Sequence, residues 1–194
     1  MSGTHLLKLA DAKRLEKSRA RTYPRKSQAM SQTTQEKILV EHVRVKSGKP
    51  IGEVAAALEA RLGKFDPAVL DRLRNGVAPE AVRARLEEMA GPSGFTLFQT
   101  SDYGALLRLA GQTKKAVQYQ LGNILVAIQM MQHDVRVSLY APARLLVYED
   151  EERKTCVEYD KPSSLFEQFG NANVTEVAAT VDRKLEQLLA EAMQ

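Results

Sequence analysis

Residues 143–159 read Ala143-Arg144-Leu145-Leu146-Val147-Tyr148-Glu149-Asp150-Glu151-Glu152-Arg153-Lys154-Thr155-Cys156-Val157-Glu158-Tyr159, and this stretch decides the fold. Residues 143–148 and 153–159 are rich in β-branched and aromatic side chains, and the acidic run Glu149-Asp150-Glu151-Glu152 separates them. That pattern predicts an antiparallel hairpin. In its first strand Leu145 and Val147 alternate with Leu146 and Tyr148, so both faces are substantially apolar. A sheet with one face in water alternates more cleanly. The reading therefore expects cover on both faces, from a second copy of the chain or from an extra helical layer.

Working outward, the C-terminal side carries one long amphipathic helix. Val174, Val177, Ala178, Val181, Leu185, Leu188 and Leu189 form a stripe at helical spacing, and Asn173 followed by Glu176 resembles a capping box. The helix is placed at 174–192. On the N-terminal side, Gly122-Asn123 opens an apolar segment, Ile124 to Met131, read as a helix buried on most sides. Before it, residues 95–100, 106–109 and 116–121 read as short strands, with a further strand at 38–46. Between the strands at 38–46 and 95–100 lie three helical patterns. The first runs from Pro50 to Leu62 and ends at Gly63. A second follows Asp66-Pro67, and a third opens at Ala78-Pro79-Glu80 and closes at Gly91-Pro92.

The chain has 194 residues, with 28 Lys and Arg against 24 Asp and Glu, for a formal charge of +4. The excess is not evenly spread. Residues 1–30 hold eight basic and two acidic side chains, a balance of +6, which leaves −2 for residues 31–194. The basic segment has too little apolar surface to fold alone, although a nascent helix near 4–20 fits. It reads as a solvated tail (with Met30 as an alternative start), as a basic arm touching nucleic acid, or as a targeting presequence. No stretch approaches the roughly 20 apolar residues of a membrane span, so the chain reads as cytoplasmic. One cysteine, Cys156, excludes an internal disulfide and any zinc site built on several thiolates.

Several residues carry a resemblance when taken in order: Asp102-Tyr103, the Gly122-Asn123 helix start, His133-Asp134 after that helix, Leu139 through Asp150, and Val157-Glu158-Tyr159-Asp160-Lys161-Pro162. Over residues 95–169 the chain resembles the bacterial and archaeal "domain of unknown function 302" family. The resemblance implies an α+β domain of TATA-binding-protein-like layout, with helices on one face of an antiparallel sheet, and it implies dimers. It implies no established activity. The chain departs from the family pattern in three places. Tyr103 stands where the family usually has histidine, Ile124 replaces a proline, and residues 64–93 read as a helical insertion between the first helix and the second strand.

Each candidate site residue has a structural role competing with a chemical one. Asn123 at a helix start fits an anion site or a plain N-cap. His133 with Asp134 fits a proton-transfer pair, or a histidine favoured by the helix C-terminal dipole. Asp102 and Tyr103 fit a base and donor lining a cleft, or a turn aspartate beside a half-buried tyrosine. Tyr140, Arg144, Tyr148 and Tyr159 cluster near the hairpin and suit a planar or anionic ligand, or a subunit interface. Cys156 is expected to be partly exposed and acidified by Lys154. His5 and His42 offer no metal-ligand spacing.

No phosphate loop, nucleophile elbow or zinc-binding helix motif occurs, and no cofactor or metal is expected. The expected protein is an α+β domain over 31–194 behind a tail at 1–30. Its expected function is non-catalytic binding of a small ligand or partner as a homodimer. The alternatives are a nucleic-acid-associated protein using the arm, and an enzyme using Asp102 or the His133/Asp134 pair. The ligand-binding candidates are Asp102, Tyr103, Asn123, His133, Asp134, Arg144 and Tyr159, expected to converge on one pocket between sheet and helices.

Overall fold

A computed structural model describes residues 32–194; the tail, the nascent helix and the alternative start at Met30 lie outside the described residues. In chain order the elements are β1 (His42–Ser47), α1 (Ile51–Glu59), β2 (Gly63–Lys64), α2 (Ala68–Arg74), α3 (Pro79–Glu88), β3 (Thr96–Asp102) and α4 (Tyr103–Leu107). They continue with β4 (Ala116–Gly122), α5 (Ile124–Met131), β5 (Ala143–Glu149), β6 (Thr155–Asp160), α6 (Pro162–Phe166) and α7 (Ala172–Met193). This is an α+β fold on one six-stranded open sheet of order β1-β6-β5-β4-β3-β2. All pairings are antiparallel except β2 with β3, which is parallel and sets Gly63 opposite Thr96.

The hairpin at 143–159 forms as expected, with Val147 opposite Val157. Strand alternation sends Tyr119, Leu121, Leu145, Val147, Val157 and Tyr159 to one face. There they form one core with Val54 and Leu58 of α1 and Leu185, Leu188 and Leu189 of α7. Two smaller cores flank it. Met130, Val137, Phe166, Val174 and Ala178 make one, and Val69, Val82, Leu86 and Met89 of the helices between β2 and β3 make the other.

Polar side chains lie over the second face of the hairpin, and among the described residues no helical layer, one of the two covers expected, packs there. Leu146 lies opposite Glu158, and the Tyr148 hydroxyl donates to Glu158 Oε1 at 2.6 Å. Glu158 also pairs with Arg44, and Lys46 Nζ lies 2.8 Å from Asp150 Oδ2. The stems of these long side chains half-bury Leu146 and Tyr148. Cys156 sits beneath them with no exposure, so burial pushes its thiol up, contrary to the exposed, acidified cysteine expected. Lys46 holds Asp150 down at about 2.

On the same face His42 faces two carboxylates, with Nδ1 2.9 Å from Asp160 and Nε2 3.0 Å from Glu158. Only the imidazolium donates from both nitrogens, so these bonds raise its pKa above the ordinary 6.5. A raised folded-state pKa contributes stability that is complete below the unfolded value and lost as pH rises through the folded one. Thermal unfolding from pH 6 to pH 9 should therefore cost the wild type more stability than it costs His42→Gln. Parallel profiles would show that the pairs contribute nothing. The effect is small because half of the side chain is solvated.

Several element limits differ from the sequence reading. Residues 106–109 are not a strand: they belong to α4 and a following 3-10 turn, Arg108–Ala110. Asp102 caps that helix by accepting from Ala105 N at 2.9 Å, and Gly111 ends it with φ of 71°. The first strand begins at His42, not at 38, because β6 ends at Asp160 and the Glu41 carbonyl accepts instead from Lys161 N at the start of α6. Gly63 is not a helix end. Its N–H donates to the Phe95 carbonyl at 2.9 Å, inside β2. The last helix is capped by Asn171, whose side chain accepts from Asn173 N and Val174 N, and not by Asn173.

Candidate functional site

The apolar run after Gly122-Asn123 is helical, but only Met130 of α5 is buried. Ile128 is exposed, and Ile124, Val126 and Ala127 are half-buried. The expectation of burial on most sides fails because one face of α5 borders a cavity of about 240 Å³ instead of packed neighbours. That volume lies below the roughly 300–1,000 Å³ of pockets that take drug-sized molecules.

Four parts of the fold make the walls. The sheet contributes Phe95, Phe98 and Leu121, α5 contributes Val126 and Ala127, and the segment before β5 contributes Tyr140 and the cis Ala141-Pro142 bond. Leu165 and Phe166 of α6 with Val181 of α7 close the far side. The buried Asp182 carboxylate accepts from Ser163 N at 3.0 Å, which fixes the start of α6 against α7. Tyr140 packs edge-on to Phe166, 6.4 Å between ring centres. Asn123 orients α5: its oxygen accepts from Leu125 N (2.9 Å) and Val126 N (3.2 Å), while its amide donates to the Gly94 carbonyl (2.9 Å). This is an N-cap with all its hydrogen-bonding groups engaged.

The seven candidate residues do not converge. Asn123 and Arg144 line the cavity. Tyr159 points into the main core, where burial pushes its hydroxyl up to about 12, while Tyr148 lies on the opposite face of the sheet. Asp102 is an N-cap beside the exposed Tyr103 and borders a separate, open hollow that also includes Arg108 and Lys115. His133 is exposed just past α5, and among the described residues its ring meets only the Gln132 amide, at 3.5 Å. Asp134 caps the following 3-10 turn and chelates Arg136, which holds its carboxyl below the usual range. His133 and Asp134 therefore serve different structural tasks.

Sequence reasoning missed Phe98, Leu165, Val181 and Lys184 in the cavity wall. The signal for the last two was the i, i+3 spacing on α7, which puts Lys184 on the face of Val181. A side chain missed elsewhere is Tyr119. Its hydroxyl donates to Glu59 Oε1 at 2.9 Å, and burial raises its pKa. Among the described residues no group of three or more His, Cys, Asp and Glu is placed to hold a metal ion, and no helix is long and apolar enough to cross a membrane.

An open sheet backed by helices on its apolar face defines a small α+β domain. The chain belongs to the family described as domain of unknown function DUF302, whose model matches residues 72–192. That match begins within α2 and runs through nearly all of α7. The fold is similar to the crystal structure of an uncharacterized conserved DUF302 protein from Bacillus stearothermophilus. The TM-score is 0.56 at 17% sequence identity, covering 79% of this chain and 98% of that one. No curated protein matches the chain.

Proposed function

We propose that this domain is a non-catalytic receptor for a small, largely apolar ligand held between α5 and α7, and that it works as a homodimer. The observation that carries the first part is the unfilled space against Val126 and Ala127. A helix this apolar normally buries its face against side chains. Here the face borders a cavity whose lining is predominantly hydrophobic, with polar side chains at a minority of positions, as in small-molecule sites generally. Support for the dimer comes from the exposed leucines Leu106 and Leu109, which follow β3 on α4 and the turn after it; Leu109 is 90% accessible.

Calorimetric titration with 1-octanol tests the cavity. Saturable binding to the wild type is expected, together with its loss in Ala127→Phe, a variant that fills the space while circular dichroism reports an intact fold. Absent saturation, or equal binding by the two proteins, would reject the reading. Light scattering tests the dimer and should return twice the chain mass.

A further inference from the structure

Resting on that reading, we infer that Glu41 and His42 form a latch on the cavity: they fasten α6, and α6 is the wall that moves to admit the ligand.

The inference follows from how α6 is held. Pro162, Leu165 and Phe166 of this helix line the cavity. A helix of one turn has little stability of its own, so contacts from outside fix it. On the α7 side the Asp182 carboxylate accepts from Ser163 N at 3.0 Å. Three further contacts at the start of α6 lead to one residue, Glu41, just before β1. The Lys161 N–H donates to the Glu41 carbonyl at 2.8 Å, and the Glu41 N–H donates to Ser164 Oγ at 3.0 Å. Lys161 Nζ lies 3.2 Å from Glu41 Oε2. Against the segment before β5 the hold is of another kind. Tyr140 meets Phe166, and Phe169 just after α6, through its ring, and its hydroxyl has no partner among the described residues. Parting these rings strands no hydrogen bond of Tyr140, so release of Glu41 lets α6 swing away from Tyr140 and opens the cavity there.

His42 gives the latch its control. Its ring lies between two carboxylates of β6, with Nδ1 2.9 Å from Asp160 and Nε2 3.0 Å from Glu158. The imidazolium donates to both and holds the residue next to Glu41 against β6, whereas the neutral ring donates to one. Of the groups around it, Arg44 and the Tyr148 hydroxyl share Glu158, and Arg144 lies across from Asp160 in the continued β5–β6 register. The Tyr148 hydroxyl, the Cys156 thiol and the Lys161 ammonium are all pushed up, and Glu158 is held below the usual carboxylate range. His42 is therefore the group whose charge changes between pH 6 and pH 9. The latch is fastened at the acid end of that range and loosens toward the alkaline end.

The test follows exchange of 1-octanol on the full chain by NMR line shape, which returns the association and dissociation rates as well as the affinity. Ser164→Ala removes the acceptor of the Glu41 N–H. At pH 6 it should raise both rates by about fivefold, the scale of one hydrogen bond, and leave the affinity within about twofold. In the wild type both rates should be about threefold higher at pH 9 than at pH 6, the scale of a solvent-exposed ion pair. His42→Gln, at an exposed position, should abolish that difference. If Ser164→Ala leaves the rates alone or raises dissociation without association, α6 is a fixed wall and the latch is wrong. The latch is equally wrong if the wild-type rates do not change with pH, or if their change survives in His42→Gln. In each of these cases saturable octanol binding leaves the cavity reading standing. If octanol does not saturate the wild type, both are wrong together.

Discussion

Gly63→Ala should destabilise the domain by about 3 kcal/mol or more, one of the largest effects available to a single added methyl group. A Cβ at this position would lie 1.8 Å from the Met89 carbonyl oxygen and 2.6 Å from Gly91 N, both backbone atoms that no rotamer change removes. The crowding is mutual, since a Cβ on Gly91 would lie 2.3 Å from Gly63 N. The two chain segments meet so closely because both glycine N–H groups donate to the same Phe95 carbonyl, at 2.9 and 3.0 Å. This crossing anchors α2 and α3 to the sheet, so the variant should also lose protection of the amides in 64–93. Gly52→Ala is the control. A Cβ there meets nothing within 4 Å, and in a helix it should stabilise by about 0.5 kcal/mol. Urea unfolding of the three proteins decides the matter, and equal midpoints would refute the crossing as a constraint.

Leu145→Ala should cost about 3 to 4 kcal/mol, the range for emptying a leucine-sized space in a core that relaxes only in part. Leu145 has no exposure and sits opposite Tyr119 in the middle strands of the sheet, under both α1 and α7. Against a typical total of roughly 5–15 kcal/mol this is a large share. Val135→Ala, at a residue 73% accessible, should change the unfolding free energy by no more than about 0.5 kcal/mol. Similar losses at both positions would mean that the β5 register assigned to the core is wrong.

The hairpin was legible because its evidence is local. Alternation, turn residues and strand formers all fall within seventeen consecutive positions. Of the two covers expected for its second face, the helical layer is not found, and for a physical reason. Apolar periodicity reports that Leu146 and Tyr148 are covered, but not whether helices or the stems of Arg44, Lys46 and Glu158 cover them. Cys156 followed the same error into an exposed position. The resemblance over 95–169 placed the family correctly, and the fold class with it.

The candidate site was legible only in fragments. Asp102, Asn123 and Asp134 drew attention because short polar side chains suit chemistry, but the same side chains suit helix starts, and each of the three caps one. Residues 106–109 were misread because three leucines in four positions satisfy a strand and a short helix alike, and the capping bond from Ala105 settles the choice. The cavity wall is assembled from Phe95, Ala127, Phe166 and Lys184, on four separate segments. No window of sequence contains them together.

The pairing of β1 with β6 joins residues more than a hundred positions apart, His42 to Asp160. During synthesis at roughly 5–20 residues per second, β1 emerges many seconds before its partner strand β6 exists. Until then its Val43 and Val45 have no core to enter, and α1 waits beside it with Val54 and Leu58 uncovered. The interval is a window for mispairing, and the strand is suited to survive it. His42, Arg44 and Lys46 occupy every second position, so the waiting segment presents charge to any foreign strand edge. The charged face that later covers the hairpin thus also serves as a gatekeeper in the nascent chain.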